Sequence, residues 1–385
     1  MPFHPAPIDS AQTPGAAVTR RAVLAAGLTL AAAGMAPHFA AAQDATPTAD
    51  LAPVDTSVIG GVKVDAQMKT VLDALVSFHN PPLDSVDPQV ARNLPSFADA
   101  VQKVRADQGK PGREAVGGVS QLLIPGPAGQ MLGRVYQPAD APKGLLPLIV
   151  YFHGGGFVIA DLATYDASPR ALANAAKAIV VSIAYRQAPE NPFPAAVDDA
   201  YAATQFLLTN AGAVGGDPRK VAVLGESAGG NLATVVCLRA KALGGKQPVH
   251  QVLVYPVATF APDAAAMTSI TKFADAIPLS AGALAWFGKY YLADPTAATN
   301  PEVSPLLAPD LSGLPSATVI AAEIDPLQSQ GKRYADALTK AGVTADYHLY
   351  KGVTHEFFGM GAVVDKAKDA ERTAAAALTK AFAAS

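Results

Sequence analysis

A chain with a single cysteine cannot close a disulfide on itself or assemble a thiolate metal cluster, and Cys237 is the only one in 385 residues. It lies within an apolar helical pattern and reads as a small buried side chain, not a nucleophile. Charge is also scarce. Asp, Glu, Lys and Arg make up 16% of the chain, the formal net charge is −3, and no basic block stands out, so nucleic acid is not an expected partner. What the chain does have is apolar bulk. Half of its residues are hydrophobic, ample for a large core and typical of one big α/β domain or two small ones.

The first residues differ from the rest. After a polar leader come Arg20 and Arg21, and no charged side chain follows until Asp44. The apolar stretch from Ala22 to about Met35 is too short to span a bilayer comfortably, so no stable membrane anchor is expected. Small residues at Ala40-Ala41-Ala42 suit a signal peptidase. Residues 1–42 resemble a bacterial twin-arginine export signal, which implies a periplasmic or secreted protein. Residues 43–57 read as a polar linker.

Met68, Val71, Leu72, Leu75 and Phe78 recur at helical spacing until Pro81-Pro82 stops them, and a second helix is expected over Ala98–Ala106. The segment 119–138 then reads as two strands around a Pro/Gly loop. From Leu148 onward, short Val- and Ile-rich runs alternate with helical segments. The strands are expected at Leu148–Phe152, Ile179–Ala184, Val221–Leu224, Val252–Tyr255, Thr318–Ala322 and Tyr347–Tyr350. They are apolar on both faces, as in a mostly parallel, doubly wound sheet with helices on both faces. The connection between Tyr255 and Thr318 is too long for a simple crossover. With Leu284, Phe287 and Tyr291 on one helical face, residues 258–316 are expected to form a helical cap, joined by N-terminal helices within 58–112. Residues 113–385 form the expected catalytic domain.

The run Gly225-Glu226-Ser227-Ala228-Gly229-Gly230 follows the apolar strand Val221–Leu224 and opens a helix. Ser227 would sit on a sharp strand-to-helix turn, flanked by glycines and next to the free N–H groups of a helix start. A dinucleotide fingerprint would need Gly where Ser227 stands. A serine hydroxyl needs a base. Asp325 stands just beyond one expected strand and His355 just beyond another, so both lie at carboxyl ends of the sheet, where ligands bind. Glu323 is the rival acid but remains close to its strand. His250 and His348 fall on strands and read as structural; His4 and His38 belong to the leader. "HEFFG" begins like the zinc motif H-E-x-x-H, yet Gly359 stands at the second ligand position, so no metal is expected.

His153-Gly154-Gly155-Gly156 follows Leu148–Phe152. Backbone N–H groups of Gly154 and Gly155, with that of Ala228, can meet a developing oxyanion. The glycines are expected here because no side chain would then stand between the loop and a ligand. His153 reads as a brace for this loop.

These motifs, with Asp325-Pro326-Leu327, "AYRQAPENPFPAAVDDA" and "SPLLAPDLSGLP", resemble the bacterial hormone-sensitive-lipase-like esterases, family IV of the lipolytic enzymes. The resemblance runs from roughly Asp65 onward. It implies an α/β-hydrolase fold with a helical cap, no cofactor, and hydrolysis of short-chain carboxylic esters by Ser227, Asp325 and His355. A small-molecule ester is the expected partner; Phe157, Trp286 and Phe287 are candidates to line its pocket. Glu226, Ser329 and Glu356 depart from the commonest family residues. Two readings compete: a non-catalytic ligand-binding protein on this fold, and an amidase using the same triad.

Overall fold

The computed structural model describes residues 54–385, positions 111 and 264 excepted. The export-signal segment 1–42 and the linker up to residue 53 lie outside the described residues. Thr56, assigned to the linker by sequence, is instead buried, with its hydroxyl donating to Asp73.

The described chain opens with a ribbon, β1 (Val58–Ile59) and β2 (Val62–Lys63), and three helices, α1 (Ala66–Val76), α2 (Pro88–Ala91) and α3 (Phe97–Asp107). Local chemistry sets their starts. The Asp65 carboxylate accepts the N–H groups of Gln67 and Met68, and Ser96 and Asp99 form a reciprocal capping box. The hairpin β3 (Gly118–Gly126) and β4 (Gly129–Gln137) follows. The alternating part contains β5 (Leu146–Phe152), α4 (Ala167–Ala176), β6 (Ile179–Ile183), α5 (Ala195–Asn210), β7 (Gly216–Glu226), α6 (Ala228–Leu243) and β8 (Gln251–Val254). Then come α7 (Thr268–Lys272), α8 (Ala281–Tyr291), β9 (Ala317–Ile324), α9 (Gln328–Lys340), β10 (Ala345–Thr354) and α10 (Asp365–Ala384).

Eight strands form one sheet in the order β10-β9-β8-β7-β5-β6-β4-β3. Every pairing from β10 to β6 is parallel; the β3–β4 hairpin closes the other side antiparallel. Both faces are dry. Leu148, Val150 and Phe152 of β5 join the core beneath α5, α6 and α9, while Ile149 and Tyr151 join the one beneath α4 and α10. This explains why the strands showed no polar alternation. The chain runs from β5 out to β6 and returns to β7 on the opposite side of β5. The strand order therefore reverses between β5 and β7, and sheets of this kind bind ligands at the carboxyl ends beside such a reversal.

The N-terminal helices do not act as one lid. Met68, Val71, Leu72, Val101 and Val104 of α1 and α3 belong to the core beneath α4 and α10. The segment around 83–92 reaches α8: the Trp286 indole N–H donates to Val86 O at 2.8 Å. Among the described residues no helix is long and apolar enough to cross a membrane.

One buried carboxyl tests this packing. Glu371 of α10 is 7% exposed, and its Oε2 lies 2.4 Å from where a Cβ on Gly361 would stand. Burial, reinforced by the Glu114 charge, pushes its pKa from 4.5 up to about 8. The unfolded chain releases this proton near 4.5 and the folded chain only near 8, so the group's contribution is full below 4.5 and is lost as pH rises through 8. Glu371→Gln lacks this loss. Its melting temperature relative to the parent should climb steadily between those two pH values; a gap that stays constant with pH contradicts the burial.

Candidate active site

Four parallel strands are each followed by a polar residue of the candidate site. His153 follows β5, Ser227 follows β7, Asp325 follows β9 and His355 follows β10. A parallel sheet delivers all such ends to one edge.

Ser227 has φ 56°, ψ −116°, in the left-handed half of the map although it is not glycine. Such a conformation costs about 1–3 kcal/mol and persists only where its surroundings enforce it. Here they do. A Cβ on Gly225 would lie 2.0 Å from Gly229 O, and one on Gly229 would lie 2.0 Å from Phe152 O. The turn can form only with glycine at both positions, and it presses the end of β7 against the end of β5. Ser227 N–H donates to Val254 O at 2.9 Å, securing the turn to β8. Helix α6 starts directly at Ala228, with Ser227 of the turn as its N-cap residue.

The Ser227 hydroxyl lies 2.9 Å from His355 Nε2, and His355 Nδ1 lies 2.8 Å from Asp325 Oδ2. A carboxylate only accepts, so Nδ1 carries the proton and Nε2 is left as acceptor for the serine hydroxyl. Asp325 is wholly buried, and its other oxygen accepts Leu327 N–H at 2.8 Å. Glu323 lies inside β9 and accepts Gly352 N–H at 2.8 Å, so the rival acid serves the strand. β7 and β10 are separated by three strand spacings, roughly 14 Å. A break in the β10 register between Tyr350 and Thr354 re-aims its end. The Tyr255 ring, just beyond β8, fills the gap 4.5 Å from the His355 ring. Burial disfavours the His355 imidazolium, but the Asp325 charge and hydrogen bond outweigh it, and the pKa is raised.

His153 is a brace. Its Nδ1–H donates to Gly154 O at 2.7 Å, its ring stacks on Tyr185 at 4.5 Å, and burial lowers its pKa to about 4. His250 is held between Ser316 and Thr318 hydroxyls, and His348 is exposed on β10.

Among the described residues none accepts a hydrogen bond from the N–H of Gly154, Gly155 or Ala228. The same holds for Gly156, which sequence reasoning left out. The reason for the glycines is not the expected one. The missing side chains face protein, not open space. A Cβ would lie 2.2 Å from the Tyr165 hydroxyl at Gly154, 2.2 Å from Ile159 O at Gly155, and 2.1 Å from the Phe287 ring at Gly156. Gly155 and Gly156 also hold φ of 98° and 59°.

The three aromatic candidates separate. Phe157 is fully buried and stacks on Tyr291 with centroids 3.8 Å apart, so it is core and does not line a pocket. Trp286 is held by its bond to Val86 O and by edge contacts with Phe287 and Tyr290. Phe287 alone of the three abuts the glycine loop. Sequence reasoning also missed Glu226 as a tie: its buried carboxylate accepts the Tyr151 hydroxyl at 2.5 Å and that of Tyr255, joining the ends of β5, β7 and β8. Ser329, one of the departures, donates to Ala266 O at 2.7 Å and pins the segment before α7.

Residues 149–359 match the model of a family described by its alpha/beta hydrolase fold. Esterase LipI of Mycobacterium tuberculosis is 39% identical over 68% of this chain and 81% of its own length. Carboxylic ester hydrolase LipN of the same organism is 42% identical over 65% of this chain and 67% of its own. Among solved structures, an ester hydrolase from the metagenome of Lake Arreo, complexed with a bipyridine phosphonate derivative, superposes with a TM-score of 0.75 at 36% identity, covering 83% of this chain and 99% of that one. The chain belongs to the α/β-hydrolase fold family, among its hormone-sensitive-lipase-like esterases.

The glycine contacts make a direct prediction. Gly155→Ala must displace Ile159 backbone or lose φ 98°, and either shifts the loop N–H groups. Labelling of Ser227 by a serine-directed phosphonate should slow at least about 10²-fold, the usual effect of losing one oxyanion donor. Unchanged labelling would remove the loop from the site.

Proposed function

We propose that this protein hydrolyses short-chain carboxylic esters with Ser227 as nucleophile, His355 as general base and acid, and Asp325 as the group that orients His355. The observation carrying this reading is the unbroken hydrogen-bond line from Ser227 through His355 to Asp325. Ser227 Oγ attacks the ester carbonyl carbon while its proton passes to His355 Nε2. The carbonyl oxygen becomes an oxyanion facing the N–H groups of Ala228 and of the Gly154–Gly156 loop. Collapse of the intermediate breaks the bond to the alcohol oxygen, which takes the proton from Nε2. Water then attacks the acyl-serine by the same route in reverse, releasing acid and free Ser227. The non-catalytic alternative has no support from the relatives, which are named as hydrolases.

The cap reading rests on two sets of ties. Asn231 of α6 donates to Val257 O and Val303 O at 2.9 Å, and Gln330 accepts the N–H groups of Ala258 and Thr259. Ser227 is 6% exposed and His355 3%, which favours a closed site over an open groove. A closed apolar site gains about 0.8 kcal/mol per buried CH₂ until it is full. The expected kcat/KM for nitrophenyl esters therefore peaks at roughly two to eight acyl carbons and then falls. No jump in rate should accompany droplet formation. Ser227→Ala should lower kcat roughly 10⁶-fold without changing the melting temperature. A maximum with palmitate-length esters, or substantial activity in Ser227→Ala, would sink the reading.

Export is proposed from Arg20-Arg21 ahead of the mild apolar segment. Replacing both arginines with Lys should leave full-length precursor in the cytoplasm of the native host. An unmodified protein that stays cytoplasmic with residues 1–42 attached would refute export.

A further inference from the structure

Glu356 directly follows His355 and plays no part in the mechanism above. Its carboxylate lies within the site: Oε1 is 3.8 Å from His355 Nε2, the atom that takes the serine proton. The side chain is 11% exposed, and among the described residues no lysine or arginine pairs with it. Its backbone holds φ 68°, a conformation that glycine adopts without strain and glutamate does not. The Tyr165 hydroxyl lies 2.7 Å from both oxygens and shares its one proton between them. That same hydroxyl stands 2.2 Å from where a Cβ on Gly154 would be. One residue thus touches the base loop and the glycine loop together.

A buried carboxylate without a cation is costly, and so is glutamate at this φ. The cation Glu356 lacks exists only transiently, as His355 imidazolium. We propose that Glu356 is a positioning residue that holds protonated His355 from the Nε2 side, as Asp325 does from the Nδ1 side, and that through Tyr165 it sets the spacing between base and glycine loop. At 3.8 Å the carboxylate attracts the charge but is too far to take the proton from Nε2, which stays free for the leaving alcohol. The Tyr165 hydroxyl, sharing its one proton between the two oxygens, keeps it at that distance. The inference rests on His355 being the general base.

The groups facing Glu356 are His355 beside it, Tyr165 ahead of α4, Glu226 at the end of β7, Asp325 after β9, and the hydroxyls of Tyr151, Tyr185 and Tyr255. Burial and the Glu226 and Asp325 charges raise the Glu356 carboxyl to about 7, against His355 and the Tyr165 bond. Glu356 and His355 therefore titrate as a coupled pair. A charged Glu356 raises the His355 pKa, so removing the charge lowers it.

The test is the pH dependence of kcat/KM on a short nitrophenyl ester for Glu356→Gln and Glu356→Gly. The first keeps the shape and the Tyr165 bond; the second relieves φ. They share only the loss of charge. Both should move the acidic midpoint down by about one pH unit and lower kcat on the alkaline plateau about tenfold, with KM little changed. The His355 imidazole, followed by NMR, should titrate lower by the same amount. An unmoved midpoint and an unmoved imidazole titration in both variants overturn the proposal. So does a shift seen with Gly alone, which would make the role purely structural. The NMR arm does not depend on turnover, so it decides the point separately from whether His355 is the catalytic base.

Discussion

The strained backbone of Ser227 is the constraint from which the rest follows. A serine at φ 56° is stable only if the chain around it leaves no other path. Gly225 and Gly229 allow β7, β5 and the start of α6 to approach at distances that any side chain would forbid. The same approach that strains Ser227 brings the glycine loop after β5 beside it. The reversal of strand order between β5 and β7 decides which two loops meet. Ser227 and the glycine loop are therefore neighbours by topology, while Asp325 and His355 arrive from β9 and β10 on the same edge.

Electrostatics completes the arrangement. Asp325, Glu226 and Glu356 are three carboxyl groups within one buried region, each treated differently. Asp325 is paired with His355, and Glu226 is held by the Tyr151 and Tyr255 hydroxyls. Glu356 is held by the Tyr165 hydroxyl and faces His355 Nε2. Low dielectric makes each charge act strongly on His355. Among the described residues no lysine or arginine pairs with Glu356, so a protonated His355 is the cation within reach of that charge.

Much of this was legible in the sequence. Ser227, Asp325 and His355 stand out because each follows an apolar strand and carries recognisable local chemistry: flanking glycines, a proline brake, a glycine-bounded loop. The doubly wound sheet followed from strands that are apolar on both faces. What stayed hidden depends on partners distant in the chain. Tyr165 and Glu356 are 191 positions apart. Phe157 looks like pocket lining until Tyr291 covers it. The glycine loop stands out in the sequence, but Tyr165, Ile159 and Phe287, which forbid side chains there, do not. Helix and strand ends moved by a few residues wherever a turn, as at Ser227, doubled as a cap.

The central claim is that the N–H groups of Ala228 and of the loop from Gly154 to Gly156 converge on one oxygen above Ser227. The most direct measurement is a crystal structure of the protein inactivated by an acyl-chain phosphonate, whose tetrahedral phosphorus mimics the ester intermediate. The account predicts phosphorus bonded to Ser227 Oγ, one phosphonyl oxygen within about 3 Å of Ala228 N and of at least one glycine nitrogen of the loop. A phosphonyl oxygen turned away from these nitrogens, or phosphorus attached to any other residue, would contradict it.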